Sequence, residues 1–100
     1  MGYMYILRCG DGSYYTGSTR DLAHRTWQHS VGQGAAYTRQ RMPVELVFAQ
    51  EFETIAEAYA MEKRVQGWSR AKREALIEGR YNDLPRLSRK DFGAKPDADK

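Results

Sequence analysis

One acidic side chain of the sequence falls where apolar residues are expected. Thr54 followed three positions later by Glu57 is a capping-box pattern, which predicts a helix running to about Gly67. Apolar residues recur along it at helical spacing, and Glu62 lies inside their stripe. The stripe consists of Ile55, Ala58, Tyr59 and Val65. Burying a carboxylate costs roughly several kcal/mol unless a cation, hydrogen bonds or a metal compensates. Glu62 is therefore either half of an internal ion pair with an arginine or a metal ligand at a cleft.

Arg25 and His29 form a second set of groups that can act together. Asp21 is a suitable N-cap for a helix over residues 22–31, which contains no proline or glycine before Gly32. Side chains four positions apart project from the same face of a helix, so both can converge on one anion. The alternative is that they are ordinary exposed residues of a solvated helix.

Four tyrosines lie in a predicted β-hairpin near the N-terminus. Residues 3–9 and 14–17 are rich in strand-forming types, and residues 10–13 form the turn between them. If the loop is the three residues 10–12, with a glycine in the left-handed conformation, Tyr5 and Tyr15 share one face of the sheet. A register one residue different separates them. Tyrosines in strands also serve as packing residues with a polar tip.

The remaining segments predict an α+β fold that positions these groups. Residues 32–43 are expected to form a basic loop leading to a strand over 44–49, and Ser69 is expected to cap a shorter basic helix through Ile77. The order β-β-α-β-α-α predicts a small three-stranded, mainly antiparallel sheet flanked by helices. We expect one domain over residues 1–79 and a flexible polar tail over residues 80–100.

Composition limits the possible partners and compartments. The net charge of +3 and the pI near 9.1 favour a polyanionic partner. Cys9 is the single cysteine, which excludes an internal disulfide and a cysteine-based zinc cluster. No apolar run approaches the roughly 20 residues that span a bilayer, and the N-terminus lacks the pattern of a signal peptide. We therefore expect a cytoplasmic protein with no membrane association.

Taken together, these segments resemble the GIY-YIG nuclease domain in their order and approximate spacing. The matching segments are Tyr3-Met4-Tyr5, Tyr15-Thr16-Gly17, Arg25-x-x-x-His29 and the helical Glu62. The resemblance spans about residues 2–78, includes Tyr37-Thr38-Arg39 and Trp68-Ser69-Arg70-Ala71-Lys72, and is closest to small stand-alone bacterial members of the UPF0213 type. Tyr3, Met4 and Thr16 depart from the letters of the two motifs that give the family its name.

The resemblance implies a divalent-metal-dependent DNA endonuclease with four catalytic residues and one metal ligand. Glu62 would hold Mg²⁺ or Mn²⁺ together with substrate phosphate oxygens and water. Arg25 would bind the scissile phosphate and stabilise the charge that grows on it. Tyr5 or Tyr15 would orient or deprotonate the attacking water, and His29 would hold a tyrosine hydroxyl or relay a proton.

DNA contacts outside the chemistry are expected from an aromatic residue and several basic residues. These are Tyr37, Arg39, Arg41, Lys63, Arg70 and Lys72. Trp27, Tyr37 and Trp68 could stack on unpaired bases, but we expect at least Trp27 and Trp68 to pack in the core instead. The substrate is expected to be single-stranded or structured DNA, in repair, recombination or DNA uptake, with a protein partner as another means of targeting. A nucleic-acid-binding module that has lost turnover is the alternative, and the oligomeric state is left open.

Overall fold

The elements of the chain follow the predicted α+β order. The computed structural model describes residues 1–84, so the predicted tail lies mostly outside the described residues. The elements are β1 (Gly2–Arg8), β2 (Tyr14–Thr19), α1 (Leu22–Ser30), α2 (Ala36–Arg39), β3 (Glu45–Phe52), α3 (Ile55–Gln66), α4 (Arg70–Ile77) and a 3-10 turn (Tyr81–Asp83). The fold class and the β-β-α-β-α-α order are confirmed, and the short helix α2 is an addition within the segment expected to be a basic loop.

The sheet of the described residues has three antiparallel strands in the order β2-β1-β3. The central strand β1 is covered on both faces, since Met4, Tyr5, Ile6 and Leu7 are all almost fully buried. Its pairing with β3 shifts by one residue between Ile6 and Leu7, where β3 carries a bulge. Strand β1 therefore supplies the largest share of the core and a fixed base for any side chain that it carries.

The hairpin between β1 and β2 has the three-residue loop that brings the two motif tyrosines onto one face. The Cys9 N–H donates to the Ser13 carbonyl over 2.8 Å, and Gly12 has a φ of +86°. Leu7 pairs with Tyr15, and Tyr5 pairs with Gly17 two residues further along β2. Because side chains alternate along a strand, Tyr5 and Tyr15 share a face of the sheet.

Helix α1 begins where its capping signal predicts. The Asp21 side chain accepts a hydrogen bond from the His24 N–H over 3.0 Å, and the helix then runs to Ser30. In the following segment, the Thr38 hydroxyl donates to the Ala35 carbonyl over 3.0 Å within the short helix α2. The expected loop is therefore more ordered than its glycines and basic residues indicate, and it brings a buried threonine next to α1.

Helix α3 begins with the predicted capping box and carries the predicted acidic residue on its buried side. The Thr54 hydroxyl accepts from the Glu57 N–H over 3.1 Å, and the Glu57 carboxylate accepts from the Thr54 N–H over 3.2 Å. Ala58 and Glu62, one turn apart, are both buried. Tyr59, which we predicted within the buried stripe, is 52% exposed, because it falls one residue away from that line.

The described residues divide into two compact units, Met1–Lys63 and a unit that begins at Arg64. In the second unit the Ser69 hydroxyl accepts from the Lys72 N–H over 3.2 Å, so α4 begins at the predicted cap. Ala75 and Leu76 are its buried apolar residues. A single domain over residues 1–79 stays a prediction. None of the helices within residues 1–84 combines the length and the apolar character that crossing a bilayer requires.

Candidate active site

The centre of the candidate site is a buried hydrogen bond between β1 and α1. The Tyr5 hydroxyl lies 3.0 Å from Nε2 of His29, and the two rings meet edge to face at a centroid distance of 5.8 Å. Tyr5 is 1% exposed and His29 is 0% exposed. The two residues are 24 positions apart in the sequence, so the fold brings together the first motif and the Arg25-x-x-x-His29 segment.

Two glycines leave the room that this hydrogen bond needs. A Cβ atom at Gly17 would lie 2.6 Å from the Tyr5 hydroxyl oxygen and 3.2 Å from a Tyr15 ring carbon. A Cβ atom at Gly34 would collide with Nδ1 of His29. The final glycine of the second motif is therefore required because the Tyr5 hydroxyl occupies the space above it.

Charged and polar groups from three further positions act on the Tyr5 hydroxyl. Burial raises the pKa of Tyr5, while a hydrogen bond from Arg25 and its positive charge lower it. The charges of Tyr15 and Glu62 raise the Tyr5 pKa further. Together with the hydrogen bond to His29, these effects on the pKa of Tyr5 indicate that the five predicted site residues lie in one region of the unit Met1–Lys63.

His29 is a neutral imidazole at physiological pH. Burial, followed by the positive charge of Arg25, lowers its pKa from 6.5 to about 4. Its second ring nitrogen, Nδ1, lies 2.8 Å from the hydroxyl oxygen of Thr38, which is itself 0% exposed. Each ring nitrogen thus has one buried hydroxyl partner, which fixes the plane of the ring.

Glu62 has a serine hydroxyl and a lysine beside its two carboxylate oxygens. Ser18 Oγ donates to Oε1 over 2.6 Å, while Nζ of Lys63 lies 3.9 Å from Oε2. Ser18 belongs to β2 and is 44 positions away in the sequence. The carboxylate is 9% exposed, so the hydroxyl helps to compensate the loss of water and holds one oxygen in place.

The donor set around Glu62 is compatible with a hard cation that is shared with a substrate. Within residues 1–84 no group of three or more His, Cys, Asp or Glu side chains could hold a metal ion. Mg²⁺ and Mn²⁺ prefer oxygen ligands, and Mg²⁺ keeps several waters, so a single carboxylate is a sufficient protein ligand when phosphate oxygens and water complete the shell. Glu62 is therefore a sufficient protein ligand for the predicted Mg²⁺ or Mn²⁺ only when a phosphate-bearing substrate supplies further oxygen ligands.

Next to His29, the ring of Tyr15 is the first of a row of stacked side chains. The row includes Tyr37 and Arg41, two of the predicted DNA contacts. The Tyr15 ring lies 5.4 Å from His29 and 6.0 Å from Tyr37, nearly parallel to the latter. The Arg41 guanidinium lies 3.8 Å above the Tyr37 ring and pairs with Asp11 over 3.1 Å. Tyr37 and Arg41 therefore connect α2 to the hairpin turn, in addition to any contact with DNA.

The other predicted DNA contacts differ in exposure. Arg39 is exposed at the end of α2, and Lys63 is half exposed, with its ammonium 4.9 Å from the Tyr59 ring. In the second unit, the exposed Arg70 pairs with Glu74 over 3.0 Å. Lys72 is only 8% exposed, with its ammonium 4.0 Å from the Trp68 ring. Burial argues against Lys72 as a phosphate contact, because its ammonium already lies against an indole ring.

One expected core residue lies on the surface. Trp27 is 53% exposed, and its ring is nearly parallel to that of His24 at a centroid distance of 6.0 Å. The prediction that Trp27 packs in the core is wrong, because α1 turns the face that carries Arg25 and His29 toward the sheet. Trp68 is half-buried, as its contact with Lys72 requires.

Three residues of the site had no role assigned from the sequence. Ser18 holds Glu62, Thr38 holds His29, and Gly34 leaves room for the imidazole. Thr38 lies within a stretch that matches the family pattern, which is the one sequence signal that pointed to it. Ser18 and Gly34 act through partners in other elements, and no local pattern identifies such contacts.

Comparisons with known proteins identify the family that this chain resembles. A sequence model of the GIY-YIG catalytic domain matches residues 1–75. A UPF0213 protein of Bacillus pumilus is 47% identical over 76 residues, covering 76% of this chain and 78% of the relative. A UPF0213 protein of Halobacterium salinarum is 45% identical over 77 residues, covering 77% of this chain and 100% of the relative. The solution structure of a UPF0213 protein from Bacillus halodurans is 46% identical, with a TM-score of 0.51, and covers 78% of this chain and 84% of that one.

Proposed function

The chain belongs to the GIY-YIG catalytic domain family, a family of nucleases, and from that premise we propose that it is a divalent-metal-dependent DNA endonuclease. The observation that carries the proposal is the buried hydrogen bond between Tyr5 and His29, with Arg25, Tyr15 and Glu62 near enough to shift the pKa of Tyr5. An arginine, a buried phenol and a carboxylate in one place are the groups that bind a phosphate, orient a water molecule and hold a cation.

Arg25 binds the scissile phosphate in this proposal. Its guanidinium donates to Gln28 Oε1 over 3.1 Å, which helps to fix the direction of the side chain. The planar fork matches two phosphate oxygens, and its charge stabilises the negative charge that grows on them in the transition state. A lysine at this position would supply charge without that geometry.

Tyr5 orients the attacking water. Because burial raises its pKa, Tyr5 is a neutral phenol at physiological pH, and the hydrogen bond with His29 holds its oxygen in place. Tyr15 is half-buried beside His29 and remains the other candidate for contact with the water. Replacement of each tyrosine by phenylalanine separates the two, since only the tyrosine that contacts water is needed for the chemical step.

Glu62 holds the cation, with Ser18 fixing one of its oxygens. When bound, Mg²⁺ or Mn²⁺ supplies Lewis-acid stabilisation of the phosphate charge. The second carboxylate oxygen lies 3.9 Å from Nζ of Lys63. Glu62 to glutamine keeps the shape and the hydrogen bond to Ser18 but removes the charge that attracts the cation.

Single-stranded or structured DNA is the substrate form that we propose. The exposed Trp27 ring, stacked with His24, offers an aromatic surface on the same helix as Arg25. Unpaired bases stack on such rings, whereas bases within a duplex are already stacked on each other. The sequence context, the cellular pathway and a targeting partner stay predictions.

The proposal is tested by incubating end-labelled single-stranded, duplex and branched DNA with the protein in Mg²⁺, Mn²⁺ or EDTA. We expect cleavage with either metal and none in EDTA. Glu62→Gln should lower the rate at least about 100-fold, whereas Glu51→Gln, an exposed carboxylate of β3, should leave it unchanged. Salt-sensitive DNA binding without cleavage by the wild-type protein would instead identify a binding module that has lost turnover.

A further inference from the structure

Thr38 is buried against His29 on the side opposite Tyr5. We propose that Thr38 is a positioning residue that sets the direction of both hydrogen bonds of His29, the one between Tyr5 and Nε2 and the one between Nδ1 and Thr38. In this role it fixes the tautomer of His29 and thereby the direction of the Tyr5 O–H bond. The catalytic significance of that direction rests on the proposed function, whereas the tautomer itself is a property of the protein alone.

The Thr38 hydroxyl can play only one role toward His29. Its oxygen lies 3.0 Å from the Ala35 carbonyl and 2.8 Å from Nδ1 of His29. A hydroxyl has one hydrogen, and a carbonyl oxygen can only accept, so the hydrogen goes to Ala35. The Thr38 oxygen must then accept, which requires a proton on Nδ1 of His29 and leaves Nε2 with a lone pair.

The Tyr5 end of the chain follows from the tautomer of His29. An Nε2 that carries no proton can only accept, so the Tyr5 hydroxyl, 3.0 Å away, donates to it. From Tyr5 through His29 and Thr38 to the Ala35 carbonyl, each group then donates to the next.

This direction decides what Tyr5 offers to a substrate. With its hydrogen turned inward to His29, the Tyr5 oxygen presents its lone pairs outward, where they can accept from water. If His29 carried its proton on Nε2, Tyr5 would accept from His29, and its own hydrogen would point outward. The phenol would then donate to the attacking water, which reduces the electron density at the nucleophile.

The groups that face His29 come from four elements and are all compatible with a neutral ring. Tyr5 lies on β1, Tyr15 on β2 and Thr38 on α2, while Arg25 on its own helix is the nearest charge that acts on it. Gly34 leaves no space for a further side chain at Nδ1. The Thr38 hydroxyl is thus the group that determines which nitrogen carries the proton.

The tautomer is measured directly by long-range ¹H–¹⁵N NMR of the histidine rings at pH 7, in the absence of DNA and metal. We expect a protonated Nδ1 in the wild type and in Thr38→Ser, and a shift toward protonated Nε2 in Thr38→Val. Thr26→Val is the matched control, because Thr26 also donates to a helix carbonyl, over 2.9 Å, without contacting His29. A protonated Nε2 in the wild type would overturn the inference even if the valine variant fails to fold, and so would an unchanged tautomer in a folded Thr38→Val.

Steady-state cleavage then tests the catalytic consequence. Thr38→Val should lower kcat about 10- to 100-fold, the size of loss seen when an outer hydrogen bond to a functional imidazole is removed, with KM little changed. Thr38→Ser, which keeps the hydroxyl, should have the same kcat as the wild type. An unchanged kcat in folded Thr38→Val would overturn the catalytic role of Thr38. A protonated Nδ1 in a protein that cuts no DNA would contradict the proposed function and leave the tautomer assignment standing.

Discussion

Helix α1 carries one histidine on each of two faces, and their surroundings differ sharply. His29 is fully buried, with Tyr5 on one ring nitrogen and Thr38 on the other. His24 is exposed and contacts Trp27, three residues along the same helix. The inward histidine is held by partners from β1 and α2, whereas the outward one is held by a neighbour of its own turn.

The difference shows which face suits chemistry and which suits binding. Phosphodiester hydrolysis requires groups held to within a fraction of an ångström, which partners from several elements provide on the inward face. Stacking on a nucleobase tolerates rotation and sliding, so the outward face needs only exposed rings. The two faces of one helix are therefore expected to respond in different ways to substitution, to pH and to DNA.

The largest effect is expected on folding stability, when a methyl group is added beside the buried ring of His29. Gly34→Ala forces a methyl group against Nδ1 of His29, so we expect the free energy of unfolding to fall by about 3 kcal/mol. Gly67→Ala is the control, because its new methyl group would lie 3.6 Å from the nearest atom, an ordinary contact, and should change stability by less than about 1 kcal/mol. Urea unfolding followed by circular dichroism measures both. If Gly34→Ala were as stable as Gly67→Ala, the space beside His29 could accommodate a methyl group.

The second largest effect is expected on the pH dependence of folding stability. The pKa of His29 is lowered from 6.5 to about 4 by burial, so the folded state binds fewer protons than the unfolded state between these values. The contribution of neutral His29 to the free energy of unfolding is complete above pH 6.5 and is lost as the pH falls toward 4. At about 1.4 kcal/mol per pKa unit, the loss is at most about 3 kcal/mol. Urea unfolding at pH 7.5 and 4.5 should therefore give a smaller difference for His29→Gln than for the wild type. His24→Gln should match the wild type, and equal pH dependence of both variants would contradict the comparison.

The smallest effect is expected on the outward face. Trp27→Ala should weaken binding of a labelled single-stranded oligonucleotide in EDTA about 10-fold, the loss of one stacked base, without changing stability. Tyr59→Ala removes an aromatic ring of similar exposure from α3 and is expected to leave affinity unchanged. Fluorescence anisotropy measures both affinities. If Trp27→Ala binds as tightly as the wild type, the outward face does not contact unpaired bases.

Elements with local signals could be predicted from the sequence. Asp21, the Thr54–Glu57 pair and Ser69 each form the cap expected of them, because capping depends on atoms within one turn of helix. These signals were sufficient for the fold class. The sequence left two hairpin registers open, and the structure has the one with the three-residue loop, which places Tyr5 and Tyr15 on one face.

Contacts between distant segments could not be predicted in the same way. The bond between Ser18 and Glu62 joins residues 44 positions apart, and nothing near either residue indicates it. The exposure of Trp27 was also missed, since a helix is expected to turn its tryptophan inward. In this protein, the polar face of α1 is turned inward because it supplies the candidate site.

Single-turnover cleavage by two arginine variants tests most directly whether the inward face of α1 carries out the chemistry. Arg25→Lys keeps the charge but removes the planar fork, and Arg20→Lys makes the same change at an exposed position just before the helix. With saturating DNA and metal, we predict that Arg25→Lys cleaves about 100-fold more slowly than the wild type, while Arg20→Lys cleaves at the wild-type rate. Equal cleavage rates for Arg25→Lys and the wild type would contradict the role of Arg25 and, with it, the assignment of the active site to this face.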